Sequence, residues 1–144
     1  MADNIFIEFK DVFKRVQDST QLKAKGTGIA DIVLSDSYES TALTFFSDGV
    51  DLLKQHGLHY LEIKNYDSTV KIELNESLTS GKFKSDKGLV EKCLSEYILY
   101  QWYRNINQSE LANEAYSLHD MYQNDLLMLS SNKNYARPTP RVYY

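Results

Sequence analysis

His56 and His59 stand three residues apart with Glu62 three further on, a donor set that binds zinc when it shares one face. Gly57 is expected to end a helix between the two rings, and no cysteine cluster adds further ligands. Cys93 is a nucleophile by type and His119 a base, but that chemistry needs both, with an orienting group, within hydrogen-bond reach. Cys93 lies beside Leu94 and Tyr97 on an apolar stripe and reads as a small buried hydrophobe. His119 reads as a core-edge or surface histidine. Gly26-Thr27-Gly28 lacks the third glycine and the Gly-Lys-Ser/Thr of phosphate loops. Glu110 and Glu114, one helical turn apart, have no matching ligands on another helix and read as a solvated face. Lys82, Lys84 and Lys87 surround Phe83, as in grips for single-stranded nucleic acid, but three lysines and one aromatic read first as a solvated loop or a contact with an acidic neighbour. The expectation is a protein without catalytic residues, cofactor or metal.

One segment carries a positive signal. Residues 132–144 contain both prolines of the chain, in Arg137-Pro138-Thr139-Pro140-Arg141, followed by Val142-Tyr143-Tyr144. Alternating prolines preclude a helix and favour an extended backbone, which loses little entropy on binding. Arginines supply forked hydrogen bonds and tyrosines supply anchors. Arg137, Pro138, Pro140, Arg141, Tyr143 and Tyr144 are thus the candidate partner-docking residues.

The totals bound what stands behind these residues. The 144 residues fit one domain, 42% are apolar and 25% charged, and the formal net charge is −4. Duplex-DNA binders draw most of their affinity from phosphate contacts and carry a basic excess, which is missing here. The final 13 residues carry Lys133, Arg137 and Arg141 and no acid, so the body before them holds a net −7. A single cysteine asks for no oxidising compartment, and no apolar run has bilayer-spanning length. Met1-Ala2-Asp3-Asn4 does not open a signal peptide, so a cytoplasmic protein is expected. Eleven tyrosines, against 6 phenylalanines and 1 tryptophan, suit core edges or partly wet interfaces.

Four helical segments must position these groups. Residues 5–17 place Phe6, Phe9, Phe13 and Val16 at helical spacing, with Asp3 or Asn4 as cap. Residues 18–31 read as a polar loop. Ser35-Asp36-Ser37 caps a second helix carrying Ala42, Leu43, Phe45, Phe46, Val50, Leu52 and Leu53, weakened by Gly49. Alternation at Tyr60–Lys64 and Val70–Leu74 reads as a β-hairpin within about 58–75, with a loop over Asn65-Tyr66-Asp67-Ser68. Because a lone hairpin is marginal in water, it must pack on the helices or add strands from a neighbouring chain. After a loop over 76–87, Asp86 opens the strongest helix, through Leu89, Val90, Cys93, Leu94, Tyr97, Ile98 and Trp102. Asn105-Ile106-Asn107 breaks it. Ser109 or Asn107 caps a last helix with Leu111, Ala115, Leu118, Tyr122, Leu126 and Leu129 on one stripe. The short link favours an antiparallel pair. The fold class is mainly α: a bundle of about four helices over residues 1–131 with a small hairpin insertion, and an extended tail over 132–144.

This layout resembles the small head–tail connector (portal adaptor) proteins of tailed bacteriophages. The likeness rests on the Tyr97-to-Tyr103 helix running through Asn105-Ile106-Asn107 into the Leu111-to-Leu129 helix, then the Arg137-to-Arg141 exit. The aromatic-rich closing helices are similar to those of ring proteins of crAss-like phages. The 18–31 segment is longer than in the simplest members. The resemblance implies a ring of about twelve copies, located in the virion neck and assembled in the host cytoplasm. Such a ring binds the portal protein and the next neck or tail component, with the C-terminus clamping the portal. DNA passes through its acidic lumen without sequence-specific binding, since like charge lets it slide. A different class of function, a non-ring interaction, regulatory or tail-completion bundle whose C-terminal peptide docks on a partner, predicts a monomer or dimer.

Overall fold

A computed structural model of the chain describes residues 5–56, 61–66, 69–74 and 83–134. It is mainly helical, with four long helices and one small sheet. The tail beyond residue 134 lies outside the described residues.

The chain opens with strand β1 (Ile5–Glu8), where a helical start is expected from the sequence. Ile5-Phe6-Ile7 is rich in β-branched and aromatic side chains, and Ile7 is fully buried. Helix α1 then spans Phe9–Thr27 and buries Phe9, Val12, Phe13, Val16 and Thr20. Most of the expected loop at 18–31 is therefore helix. Its core-facing residue, Thr20, is polar, so apolar periodicity does not reveal it. Gly28 ends α1 in the left-handed region at φ 76°, and its N–H donates to Ala24 O at 2.9 Å.

The following segment contains 3-10 turns at Ala30–Ile32 and Asp36–Tyr38. Polar side chains hold it to the bundle. Thr20 Oγ1 donates to Gln17 O at 2.8 Å and accepts from Leu34 N–H at 3.0 Å. Gln17 Nε2 donates to Leu34 O and to Asp36 Oδ1, and Trp102 Nε1 donates to Ile32 O at 2.8 Å. Ser35-Asp36-Ser37, the expected cap, instead leads into and forms part of the second 3-10 turn, with Ser35 and Ser37 hydroxyls 2.8 Å apart.

Helix α2 (Glu39–Gln55) buries Ala42, Phe46, Gly49, Val50 and Leu53. Gly49 is a contact surface: a Cβ there would stand 3.0 Å from both Leu94 Cδ2 and Tyr97 Cδ2. Its missing side chain lets α2 approach the next helix closely.

Strands β2 (Leu61–Tyr66) and β3 (Thr69–Leu74) form the hairpin, paired as far as Tyr66↔Thr69, so only two residues separate them and the expected loop of four or five residues is too long. Strand β1 joins the other edge of β3, giving an antiparallel sheet in the order β1-β3-β2 with Ile7 opposite Ile72. The partner the hairpin needs is thus supplied by the chain's own N-terminal segment.

Helix α3 (Phe83–Asn105) begins three residues before Asp86, taking Lys84 and Lys87 into its first turns rather than a loop. It is the central helix, packed by α1, α2 and helix α4 (Ser109–Asn134). Val90, Cys93, Leu94, Ile98, Leu99, Trp102 and Tyr103 are all buried. The α3–α4 turn satisfies its own backbone. Asn107 adopts φ 62°, Gln108 N–H donates to Tyr103 O at 2.8 Å, and Asn107 N–H to Arg104 O at 3.2 Å, a Schellman closure. Ala112 N–H donates to Gln108 O at 2.9 Å, so Gln108 precedes the helix where Ser109 or Asn107 is expected as cap. On α4 the buried positions are Ala112, Ala115, His119, Gln123 and Leu126. Leu111, Leu118 and Tyr122, expected at the centre of the stripe, flank it half-buried. The helix continues to Asn134, past the boundary at 131.

Candidate functional site

The six tail residues expected to dock a partner (Arg137, Pro138, Pro140, Arg141, Tyr143 and Tyr144) lie outside the described residues. So do His59 and Lys82, and of Glu62 only the strand backbone is described. His56 is exposed at the end of α2. Among the described residues, no three or more His, Cys, Asp and Glu gather as metal donors would, and no helix is long and apolar enough to cross a membrane. Gly26 and Thr27 form the last turn of α1.

The structure does bring together two residues that lie 26 positions apart in sequence. Cys93 on α3 is fully buried, His119 on α4 is 2% exposed, and Cys93 Sγ lies 3.4 Å from His119 Nδ1. The spacing is that of a thiol–imidazole nucleophile, so the proton positions decide its chemistry. His119 Nδ1 also lies 3.2 Å from Cys93 O, and a carbonyl only accepts, so Nδ1 carries a proton. Cys93 Sγ donates in turn to His119 O at 3.8 Å. The pair is a reciprocal clasp: each side chain donates to the other residue's backbone carbonyl. A protonated Nδ1 does not take the thiol proton. Burial, then the charge of Glu96, pushes the thiol up to about 12, far from a thiolate at neutral pH. Burial likewise holds His119 below its usual value, against the opposing pull of Cys93 O, Asp120 and Gln123. The Tyr97 ring lies tilted 5.1 Å from the imidazole and that of Tyr116 at 6.1 Å, while Tyr116 also meets Tyr100 at 5.0 Å. An aromatic seam thus seals the clasp. Sequence spacing identifies Cys93 as buried but carries no signal for its partner.

A second polar cluster joins α1, α3 and α4. Lys23 Nζ pairs with Glu114 Oε1 at 2.7 Å, so Glu114, expected on a solvated face, ties α4 to α1. Half-buried Glu96 lies beneath. Its carboxyl rises to about 7 because burial outweighs the attraction of Arg15, with Glu114 adding repulsion and Lys23 attraction. Tyr103 is pushed up to about 12 by burial and by Glu96 and Glu114, and its buried hydroxyl has no hydrogen-bond partner among the described residues.

The outer surface carries large apolar side chains. Leu22, exposed near the end of α1, lines an open groove with Ser19, Lys23, Gly26 and Thr27, and Ile29 is exposed in the segment after the Gly28 cap. Met121 and Met128 are exposed on α4, 48% and 66% respectively.

Comparison of the chain with protein-family models, curated proteins and solved structures finds no match in any of the three.

Proposed function

We propose that the chain is a structural, non-enzymatic subunit of a phage head–tail connector. Bundle helices make side-to-side contacts in a ring of about twelve copies, and the tail docks on the portal or the next neck component. The observation that carries this reading is the antiparallel α3–α4 pair, joined through Asn105-Ile106-Asn107 and lined by Tyr97, Tyr100 and Tyr116, on which, together with the Arg137-to-Arg141 exit outside the described residues, the resemblance rests. The Cys93–His119 clasp supports the structural part. Its chemistry suits holding two helices together and not attacking a substrate.

The test is removal of residues 135–144, all beyond α4. The truncated chain keeps the helical circular-dichroism spectrum of the full chain and loses capture by a candidate portal protein. Normal capture by the truncated chain would sink the docking role of Arg137, Pro138, Pro140, Arg141, Tyr143 and Tyr144. A chain that captures a partner only as a monomer would favour the regulatory or tail-completion bundle.

A further inference from the structure

We propose that the tail of this chain, residues 135–144, folds back along its own α4, with Arg137 and Arg141 docked on Asp125 and Asp120 and the proline segment lying over Met121 and Met128. The contact lies within one chain and holds whether or not copies assemble.

Helix geometry sets the face. Met121 is 48% exposed and Met128 66%. They stand seven residues apart, two helical turns, so they project from one side of α4, with exposed Ser117 and Asn124 on the same stripe. Asp120 and Asp125 are exposed as well, and five residues apart on a helix they point about 140° from each other. They therefore flank the methionines on opposite sides. Between Asn105 and Asn132 there are four acids and no lysine or arginine. Among the described residues no cation pairs with Asp120 or Asp125: Lys23 is held by Glu114, and Arg104 lies over the Tyr100 ring and donates to its hydroxyl. Burial keeps the neighbouring His119 neutral.

Length, charge and tether identify the tail as the occupant. It begins where α4 ends, at Asn134, and carries Arg137 and Arg141 with no acid. Extended at about 3.1 Å per residue, it takes Arg141 about 22 Å from Asn134, while Asp120 lies about 21 Å back along the helix. Arg137 comes about 9 Å along and Asp125 lies about 13.5 Å back. The reversal takes up about 3–6 Å, which long arginine side chains make up. Residues four apart in a polyproline II helix project about 120° from each other, so the two arginines reach to opposite sides, as the two aspartates require. Tyr143, about 28 Å along, comes level with exposed Tyr116, about 27 Å back. Methionine adapts to irregular surfaces and meets aromatic edges favourably.

Exposed ion pairs contribute little singly, but two pairs on one tethered segment act together. A short tether gives the tail an effective concentration in the millimolar range at its own α4, which a second copy in dilute solution does not match. A tail held there binds any other partner more weakly, in proportion to the fraction of time it is free.

The experiment is methyl NMR of Met121 and Met128, comparing the full chain with a chain ending at residue 134. Both methyl signals are expected to shift when the tail is removed. Arg137→Glu with Arg141→Glu in the full chain should give the truncated positions, and these substitutions lie beyond α4, so the fold is kept. Adding Asp120→Arg with Asp125→Arg, both at exposed sites, should make the signals depend on the tail again. Labelled chain lacking its tail, refolded together with unlabelled full chain, is expected to stay at the truncated positions. Signals that ignore removal of the tail would overturn the docking. A charge-swapped chain whose signals still ignore its tail would overturn the pairing of these arginines with these aspartates. Full-chain positions in the mixed sample would place the tail on a second copy and overturn the contact within one chain.

Discussion

The two halves of the bundle are held together by different physics. The C-terminal half contributes an apolar seam of buried side chains, Leu94 and Ile98 from α3 and Ala112, Ala115 and Leu126 from α4, and the α3–α4 turn closes with backbone hydrogen bonds alone. In the N-terminal half, α1 buries one apolar face, but the segment after it is fixed by side chains reaching backbone groups: Thr20, Gln17 and Trp102 hold Leu34 and Ile32. The first arrangement gains from area removed from water and tolerates small shifts. The second depends on a few directional bonds whose loss leaves buried groups unmade. The Cys93–His119 clasp ties α3 to α4 within the C-terminal half, and the Lys23–Glu114 pair ties α1 to α4 across the two halves.

The largest effect should follow from breaking the apolar seam. Leu94 is fully buried, with its Cδ2 facing Gly49 of α2, so Leu94→Ala is expected to cost about 2–5 kcal/mol, read as a lower thermal midpoint for the whole domain. A loss below about 0.5 kcal/mol would show that the seam is not where the stability lies.

Next comes the polar tie. Thr20→Val keeps the shape but removes the acceptor of Leu34 N–H, with an expected cost of about 1–3 kcal/mol. The signature should be local: amide exchange speeds up across residues 30–38 while α3 and α4 keep their protection. Uniform loss of protection would mean that the two halves unfold as one unit.

This contrast also explains what could be read from the sequence. Helices α3 and α4 were legible because apolar residues recur every three or four positions from Leu89 to Leu126. The second half of α1 was not, because its inward position is Thr20, whose burial depends on bonds to Gln17 and Leu34. Strand β1 was hidden because Ile5 to Phe9 fits either a strand or a helix start, and only pairing with β3 decides. Asn107 was legible as a breaker, but its role is a left-handed closure and not a cap. The meeting of Cys93 with His119, and of Lys23 with Glu114, required the three-dimensional arrangement of helices.

A smaller effect should separate the two polar clusters by pH. Glu96 has its carboxyl raised from 4.5 to about 7 in the folded chain, so the folded state binds the proton more tightly. Its stabilising contribution is full below pH 4.5, declines as pH rises through about 7, and is absent above. Glu96→Gln should therefore be more stable than the wild type at pH 8 and lose that decline. His119 behaves in the opposite sense. Its value is lowered from 6.5, so its contribution is present above pH 6.5 and is lost as pH falls below it. His119→Gln should flatten the acid side of the stability profile and leave the decline toward pH 8 in place. Chemical denaturation at a series of pH values reads both, and an unchanged profile in either variant would remove that residue from the account.

The most direct test of self-assembly is the mass of the wild-type chain in solution, measured by native mass spectrometry with and without a candidate portal protein. A connector subunit should give a closed assembly of about a dozen copies, about 200 kDa, alone or on the portal. A 16.7 kDa species that persists at high concentration and ignores the portal would contradict it.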